Sequence, residues 1–222
     1  MMPHIVKILH SEFITPNVKR FTVERPPDFA FKPGQATDLS INTPEWKDQL
    51  RPFTFTSLTT AAYLEFVIKI YDDHDGVTKQ LGLLHAGAEL LLHDVYGAIT
   101  FQGPGYFIAA GAGVTPFIAI LRDLHSRNEL GECTLLVSDR SATEVILDVE
   151  LTRMLGDRFI KVFTREHVIG FKQRHIDRDT LVMLVHDFDQ HFYVCGPDDF
   201  VRDITALLLG LGVKPESLVF ER

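Results

Sequence analysis

Cysteine is scarce in this sequence, and its scarcity excludes several kinds of site. Cys133 and Cys195 are the only cysteines among 222 residues. Two thiols cannot supply the four thiolates of a zinc site or of a [2Fe–2S] cluster, and they cannot build a disulfide framework. A single disulfide between them stays open, but we expect both to be reduced in a cytoplasmic protein.

Positive charge and long apolar runs are also lacking. The 22 basic residues are outnumbered by 30 acidic ones, giving a net charge of −8, which argues against nonspecific nucleic-acid binding. The N-terminus has no apolar h-region, and two glycines and a proline interrupt the most apolar stretch, residues 106–121. We therefore expect neither a signal peptide nor a membrane-spanning helix.

Short strand patterns separated by turn signals fill the first hundred residues. Six segments show the alternation or the β-branched and aromatic content of strands: 4–14, 19–26, 35–41, 51–57, 65–71 and 89–95. One short helix is expected after Gly76. This spacing predicts an antiparallel β-barrel or sandwich.

Strand and helix patterns alternate in the second half. Apolar strands are predicted at 106–111, 133–139, 158–164 and 191–197, and helices at 115–127, 143–155 and 198–212. The segment 165–180 is interpreted as loop. Such alternation predicts a parallel sheet covered by helices. The Gly-Pro-Gly at 103–105 marks the expected boundary between a domain of residues 1–102 and one of residues 103–222.

A glycine-rich turn follows the first strand of the second half. In GAGVTPF, Gly111 and Gly113 allow a tight turn and a close backbone approach to a ligand. Thr115 is a candidate N-cap and Pro116 a candidate first helical residue. Amide donors at a positive helix end suit a pyrophosphate. The alternative is a tight strand-to-helix turn with no ligand.

A second glycine turn, in YVCGPDDF, follows the last predicted long strand. Cys195 ends the strand, Gly196 frees the backbone and Pro197 leads towards a helix. Ligands of open α/β sheets bind at the carboxyl ends of the strands, so both turns should face one crevice. A small buried core residue is the alternative for Cys195.

Five motifs in a fixed order point to one family. They are FKPGQ, RPFTFTS, DGVTKQL, GAGVTPF and YVCGPDDF. With them the whole chain resembles the ferredoxin–NADP reductase-like flavoproteins, most closely the flavodoxin/ferredoxin reductase branch. The resemblance implies a flavin-binding antiparallel β-barrel domain followed by an NAD(P)-binding α/β domain with a parallel sheet.

The resemblance assigns flavin contacts to the first domain. It implies that Arg51 pairs with the flavin phosphate, that Phe53 lies against the ring, and that Thr54 hydrogen-bonds near N5. Phe53 stands where Tyr is common and lacks that phenol. The further implied flavin contacts are Pro52, Ile68, Lys69, Gly76, Val77 and Thr78. From the C-terminus, Phe220 and Glu221 are candidates to lie near the ring.

The resemblance also assigns contacts with the nicotinamide nucleotide. The implied binding residues are Gly111, Gly113, Val114, Thr115, Pro116, Cys195, Gly196 and Pro197. Ser138 and Arg140 suit a 2′-phosphate and favour NADPH, whereas Asp139 suits a ribose hydroxyl and favours NADH. Thr54, Cys195 and Glu221 are the expected catalytic residues. No metal site is expected, because the acidic segment 72–75 is typical of a polar turn.

The implied activity is hydride transfer from NADPH or NADH to a bound flavin, FAD rather than FMN. Electrons would pass to a separate acceptor, a flavodoxin or ferredoxin, and Lys19, Arg20, Lys32 and Arg51 are candidates for a basic docking patch. Two alternatives are an NAD(P)H:flavin reductase and an electron-transfer or binding subunit without turnover of its own. The oligomeric state is left open.

Overall fold

The first half of the chain forms an antiparallel barrel-like sheet. The computed structural model describes residues 3–97, 99–165 and 175–220. The strands are β1 (His4–Thr15), β2 (Val18–Glu24), β3 (Ala36–Ile41), β4 (Arg51–Thr54), β5 (Tyr63–Lys69) and β6 (Glu89–Tyr96), with a short helix α1 (Val77–Leu83) before β6. Their order across the sheet is β4-β3-β6-β1-β2-β5. The six predicted strands and the helix after Gly76 are confirmed.

The two edge strands of this sheet, β4 and β5, approach each other. One bridge between Phe55 and Phe66 joins them just beyond β4. Phe21, Phe55 and Phe66 are fully buried and fill the interior with aliphatic neighbours. Alternation explains the arrangement, because every second side chain of a strand points to the same face. The sheet thus curls almost into a closed barrel.

The second half forms a five-stranded parallel sheet with helices. Its elements are β7 (Gly105–Ala110), α2 (Thr115–Ser126), β8 (Thr134–Asp139), α3 (Asp148–Leu155), β9 (Phe159–Phe163), α4 (Arg178–Leu184), β10 (His191–Cys195), α5 (Asp198–Gly210) and β11 (Leu218–Val219). The order is β11-β10-β7-β8-β9. Continuous burial of residues 105–109 in β7 is typical of a parallel strand covered on both faces. The predicted fold class is confirmed.

Two helix predictions in this half were wrong in detail. The helix expected over 143–155 begins only at Asp148, because Leu147 just before it has φ 52°, in the left-handed region. The segment 165–180, interpreted as loop, contains the start of α4, whose N-cap Asp177 accepts a hydrogen bond from the Thr180 amide at 2.8 Å. Because the residues around this cap are charged, the sequence pattern did not indicate this helix of seven residues.

The two sheets share apolar packing and a polar tie. Val18 and Val67 of the first sheet belong to the same buried cluster as Phe107 of the second sheet and Phe117 of α2. Tyr193 Oη accepts hydrogen bonds from the amides of residues 102 and 103, at 2.8 and 3.0 Å. The segment that connects the two sheets is therefore held against β10. The division at 102/103 itself stays a prediction.

The proposed basic docking patch is wrong at its first member. Lys19 is 2% exposed, and its Nζ donates to the carbonyl oxygens of Gly82 at 2.9 Å and of Leu84 at 2.6 Å. Arg20 is paired with Glu12. Lys19 therefore holds the end of α1 from inside, and a surface patch cannot include it.

Candidate functional site

The strand order reverses between β7 and β10, and the candidate site lies there. The chain runs from β7 to β8 and β9 on one side of β7, whereas β10 and β11 lie on the other side. Such a switch point leaves a crevice at the carboxyl ends of the two strands. Both predicted glycine turns, 111–113 and 195–197, follow those ends. The predicted shared crevice is therefore confirmed.

Glycine is required where the two turns meet. A Cβ on Gly113 would lie 2.4 Å from the carbonyl oxygen of Cys195, far inside any normal contact. Gly111 has φ +51°, in the left-handed region. The space beside Gly111 is nearly empty, since within the described residues only Lys69 Nζ, 3.9 Å away, approaches its Cβ position.

The predicted N-cap role of Thr115 is wrong. Residues 111–114 form a 3₁₀ turn that runs directly into α2, so Thr115 is already the first residue of the helix. Its Oγ1 donates to the carbonyl oxygen of Ala112 at 3.0 Å. Thr115 therefore secures the turn from behind, and the backbone of 111–113 faces the crevice.

The crevice is a cleft of about 480 Å³ built from both halves of the chain. The first half contributes Lys69 and Tyr71, which lie at and beyond the end of β5. The second half contributes Ala110, Gly111, Ala112, Gly113, Ser138, Asp139, Arg140, Glu144, Thr164, Cys195, Gly196 and Pro197. The cleft thus joins the predicted ribose, pyrophosphate and nicotinamide positions.

Asp139 has the most unusual electrostatics in this cleft. Its side chain is 8% exposed. Burial, reinforced by the nearby charge of Glu144 and opposed by Lys69, raises the pKa of Asp139 to about 7. The group at the predicted ribose position therefore changes charge close to neutral pH. Lys69 and Arg140 bring positive charge to the same cleft.

Four of the predicted flavin contacts lie on β4, outside the lining of the cleft, whereas Lys69 on β5 lines it. Arg51 and Pro52 are exposed, and Phe53 and Thr54 are half-buried. Within the described residues, the guanidinium of Arg51 donates to the carbonyl oxygen of Leu50 at 2.7 Å, a local bond that leaves most of its donors facing solvent.

The remaining predicted flavin residues are dispersed. Ile68 is buried in the barrel core, and Gly76, Val77 and Thr78 lie at the start of α1. Phe220 packs partly against the core of the parallel sheet. Glu221 lies outside the described residues. The contacts that we assign to these residues stay predictions.

Sequence reasoning missed three polar side chains of the cleft. Tyr71, Glu144 and Thr164 line it without belonging to any motif. Thr164 directly follows β9, so the rule that ligands gather at the carboxyl ends of parallel strands would have found it. Tyr71 lies two positions after Lys69, and the strand period of two would have placed it on the same side. Glu144 lies on a 3₁₀ turn that no pattern indicated.

The residues present fit the two cofactors that the fold implies, a nicotinamide dinucleotide and a flavin. Open backbone at Gly111 and cations at Lys69 and Arg140 suit the pyrophosphate and phosphates of a dinucleotide. The solvent-facing guanidinium of Arg51 suits a flavin phosphate.

Both cysteines lie in the described part of the chain and are not joined to each other. In that part, no cluster of three or more His, Cys, Asp or Glu is arranged for a metal, and no helix is long and apolar enough to cross a membrane.

Comparison with known sequences identifies related reductases. The family model of the oxidoreductase NAD-binding domain matches residues 107–206. The propane 2-monooxygenase reductase component of Rhodococcus jostii is 34% identical over 233 residues, covering 91% of this chain and 58% of that protein. The glycine betaine monooxygenase reductase subunit of Pseudomonas aeruginosa is 27% identical over 206 residues, covering 86% and 56%. The chain thus spans little more than half the length of these relatives.

The fold agrees with a solved structure over its full length. A ferredoxin NADP+ reductase from Neisseria gonorrhoeae, with bound FAD and NADP, superposes with a TM-score of 0.85 at 21% identity, covering 100% of this chain and 98% of that one. The match includes both sheets, so it extends the similarity beyond residues 107–206. The match therefore confirms the predicted fold of the ferredoxin–NADP reductase-like flavoproteins over the whole chain, and residues 107–206 match the oxidoreductase NAD-binding domain.

Proposed function

We propose that the protein is a flavin-dependent NAD(P)H oxidoreductase that binds FAD and passes electrons to a separate acceptor. The observation that carries the proposal is the cleft at the β7/β10 switch point, where two glycine turns touch and cations from both halves converge. When bound there, the nicotinamide and the flavin would supply a two-electron hydride exchange. The family relationship and the NAD-binding domain support this assignment.

The protein's own part in this reaction is binding and orientation. The backbone of 111–113, with Lys69 and Arg140, would hold the nucleotide phosphates. Cys195 and Gly196 end the strand beside that turn and would border the nicotinamide ring. Arg51, Phe53 and Thr54 would hold the flavin from β4, with Thr54 supplying a hydroxyl hydrogen bond. Ile68, the α1 start and Phe220 complete the proposed flavin surroundings.

The acceptor is proposed to be a flavodoxin or a ferredoxin. Similarity to reductase components of monooxygenases favours a second candidate, an oxygenase component that receives the electrons. Both acceptors are separate proteins, and both would take electrons at the exposed flavin edge. The cytoplasmic location expected from the sequence is part of the same proposal.

An anaerobic titration with NADPH and, separately, with NADH tests the proposal through the visible flavin spectrum. We expect a yellow protein whose absorbance bleaches as either nucleotide is added, with the tighter nucleotide identifying the physiological donor. Adding oxidised flavodoxin or ferredoxin to the reduced protein should restore the absorbance.

Other outcomes would replace the proposal. A yellow protein that dithionite bleaches, but neither nucleotide does, would identify an electron-transfer or binding subunit without turnover. A colourless protein that reduces added FMN or FAD would identify a reductase that releases its flavin. Bleaching without reoxidation by either acceptor would leave the oxygenase component as the acceptor to test.

A further inference from the structure

Arg122 on α2 joins the two halves of the molecule through a single guanidinium. Nη1 donates to the carbonyl oxygen of Thr56 at 2.7 Å and to Oε1 of Glu65 at 2.6 Å, both in the first half. Nε and Nη2 donate to the two carboxylate oxygens of Glu150 on α3, at 2.6 and 2.9 Å. The side chains of Arg122 and Glu65 are only 14% and 7% exposed.

Glu65 is held in place on its own side. Its Oε1 accepts a hydrogen bond from Thr56 Oγ1 at 2.7 Å, and its amide donates to Ser57 Oγ at 3.2 Å. The Thr56 hydroxyl at the end of RPFTFTS therefore holds this carboxylate, and the Ser57 hydroxyl holds the Glu65 backbone amide. With both partners fixed before they meet, little side-chain entropy is lost when the ion pair forms.

The ion pair spans a place where the halves are poorly packed. An interdomain groove of about 450 Å³ runs beside it, lined by Glu65, Tyr63 and Ser57 from the first half and by Arg122, His125 and Glu150 from the second. Apolar contact does not fill this gap. On this side the Arg122 hydrogen bonds therefore add directional contacts to the apolar packing of Val67 against the second half.

The bonded residues are close in sequence to both halves of the cleft. Glu65 lies four residues before Lys69 on β5, and Thr56 lies two residues after Thr54. Arg122 belongs to the helix that starts at the glycine turn 111–114. A shift of α2 against β5 would therefore displace the glycine turn 111–114 relative to the strands that carry the proposed flavin contacts.

We propose that the Arg122–Glu65 pair is a positioning pair, which fixes the orientation of the nucleotide half against the flavin half and thereby sets the rate of hydride transfer. This inference rests on the proposed function. Burial opposes the charge of Arg122, but the hydrogen bonds and charges of Glu150 and Glu65 outweigh it and raise the pKa of the guanidinium. The guanidinium therefore stays charged throughout the neutral range.

Two variants test the inference, with a control at the residue that caps the end of the same helix. Glu65→Gln removes the charge of the acceptor and Arg122→Lys removes the fork of donors, while Arg127→Lys alters an exposed arginine that pairs with Asp123 and Glu129. Stopped-flow bleaching of the flavin gives the limiting reduction rate, and titration with the oxidised nucleotide gives its dissociation constant. Calorimetry shows whether the halves unfold together.

For Glu65→Gln and Arg122→Lys we expect the limiting rate to fall about tenfold or more, because small misplacements strongly affect such transfers. The dissociation constant should stay within about twofold, and the single unfolding transition of the parent should split into two. Arg127→Lys should match the parent in all three measurements. If either variant fails to fold, Glu150→Gln, which keeps the Glu65 bond, should show the same changes to a smaller degree.

An unchanged limiting rate would overturn the inference even if the variants melt at lower temperature, because the pair would then only stabilise the fold. A rate that falls only because the nucleotide binds more weakly would also overturn it. If neither nucleotide bleaches the parent, the proposed function fails; a single unfolding transition in both variants would then overturn the inference, whereas two transitions would uphold the orienting role.

Discussion

Asp139 shows at the scale of one residue how burial in a cleft creates a pH-sensitive group. Its folded pKa, about 7, lies above the ordinary value of 3.8. The folded state therefore binds a proton that the unfolded state has released, and stability falls as the pH rises from about 4 to 7. Asp139→Asn should remove that loss, which amounts to at most about 4 kcal/mol at pH 8.

Chemical denaturation at pH 5 and pH 8 checks this expectation. The stabilisation by Asp139→Asn should be clearly larger at pH 8 than at pH 5. Asp157→Asn, in an exposed 3₁₀ turn, is a suitable control and should show no such difference. Equal effects of Asp139→Asn at both pH values would contradict a raised pKa.

The same carboxyl makes a prediction about nucleotide choice. Ionised Asp139 would repel a 2′-phosphate, whereas the neutral acid would not. The affinity for NADP+ relative to NAD+ should therefore fall by about tenfold between pH 6 and pH 8, and Asp139→Asn should flatten the ratio. Titrations of both oxidised nucleotides at the two pH values measure it. A ratio that varies with pH to the same extent in the variant would assign the effect to another group.

Gly113 offers a steric test of the contact between the two turns. Gly113→Ala should push the turns apart, destabilise the fold by about 1–3 kcal/mol and weaken nucleotide binding about tenfold or more. Gly210→Ala is the matched control, because within the described residues nothing outside its own helix backbone and chain neighbours lies within 4 Å of its Cβ position at the end of α5, and it should be neutral or stabilising. Equal nucleotide affinity in both variants would show that the turns do not form the binding site.

At the scale of elements, the buried Lys19 determines how α1 ends. Its ammonium satisfies two carbonyl groups at the end of a seven-residue helix with no side-chain N-cap. Lys19→Met keeps an apolar stem but leaves the Gly82 oxygen without this donor and the Leu84 oxygen with the Ser11 hydroxyl at 3.2 Å, and it should destabilise the protein by about 1–3 kcal/mol. Lys79→Met, at an exposed pair with Asp75, should change stability by less than about 0.5 kcal/mol. Equilibrium denaturation of both variants measures these two changes in stability.

The elements that the sequence predicted well are those whose pattern is local. Alternation placed β1, β2 and β3, and continuous apolar runs placed β7 and β10, because burial alone specifies these strands. The start of α3 could not be predicted, since the left-handed Leu147 gives no signal in sequence. Lys19 was misjudged for a related reason: its burial depends on α1, which lies more than sixty residues further along the chain.

For the whole molecule, the tie between the sheets depends on Tyr193. Its hydroxyl accepts from two amides and donates to the carbonyl oxygen of Gly103 at 2.8 Å. Tyr193→Phe should lower the free energy of unfolding by about 2–4 kcal/mol, because three backbone groups lose their partner. Tyr106→Phe, which removes one hydrogen bond to the His186 amide, should lower it by about 1 kcal/mol. Comparable losses in the two variants would argue against a special role for the junction.

The candidate site was predictable only in part, and the reason is its assembly from distant segments. The glycine turns follow from sequence because they need glycine for steric reasons. The side chains of Lys69 and Tyr71 reach the cleft only because the barrel packs against the parallel sheet. The Arg122 network is likewise invisible in the sequence, since its partners are 57 and 66 residues away.

The near-closure of the barrel has a consequence for how the molecule matures. Strand β4 is paired with β3 along its length but reaches β5 only through the bridge at Phe55. The strand that carries the proposed flavin contacts is thus an edge strand with one side largely unpaired. The newly made chain should assemble this seam last, and capture of the flavin should then seal it, so that loading with the cofactor completes folding.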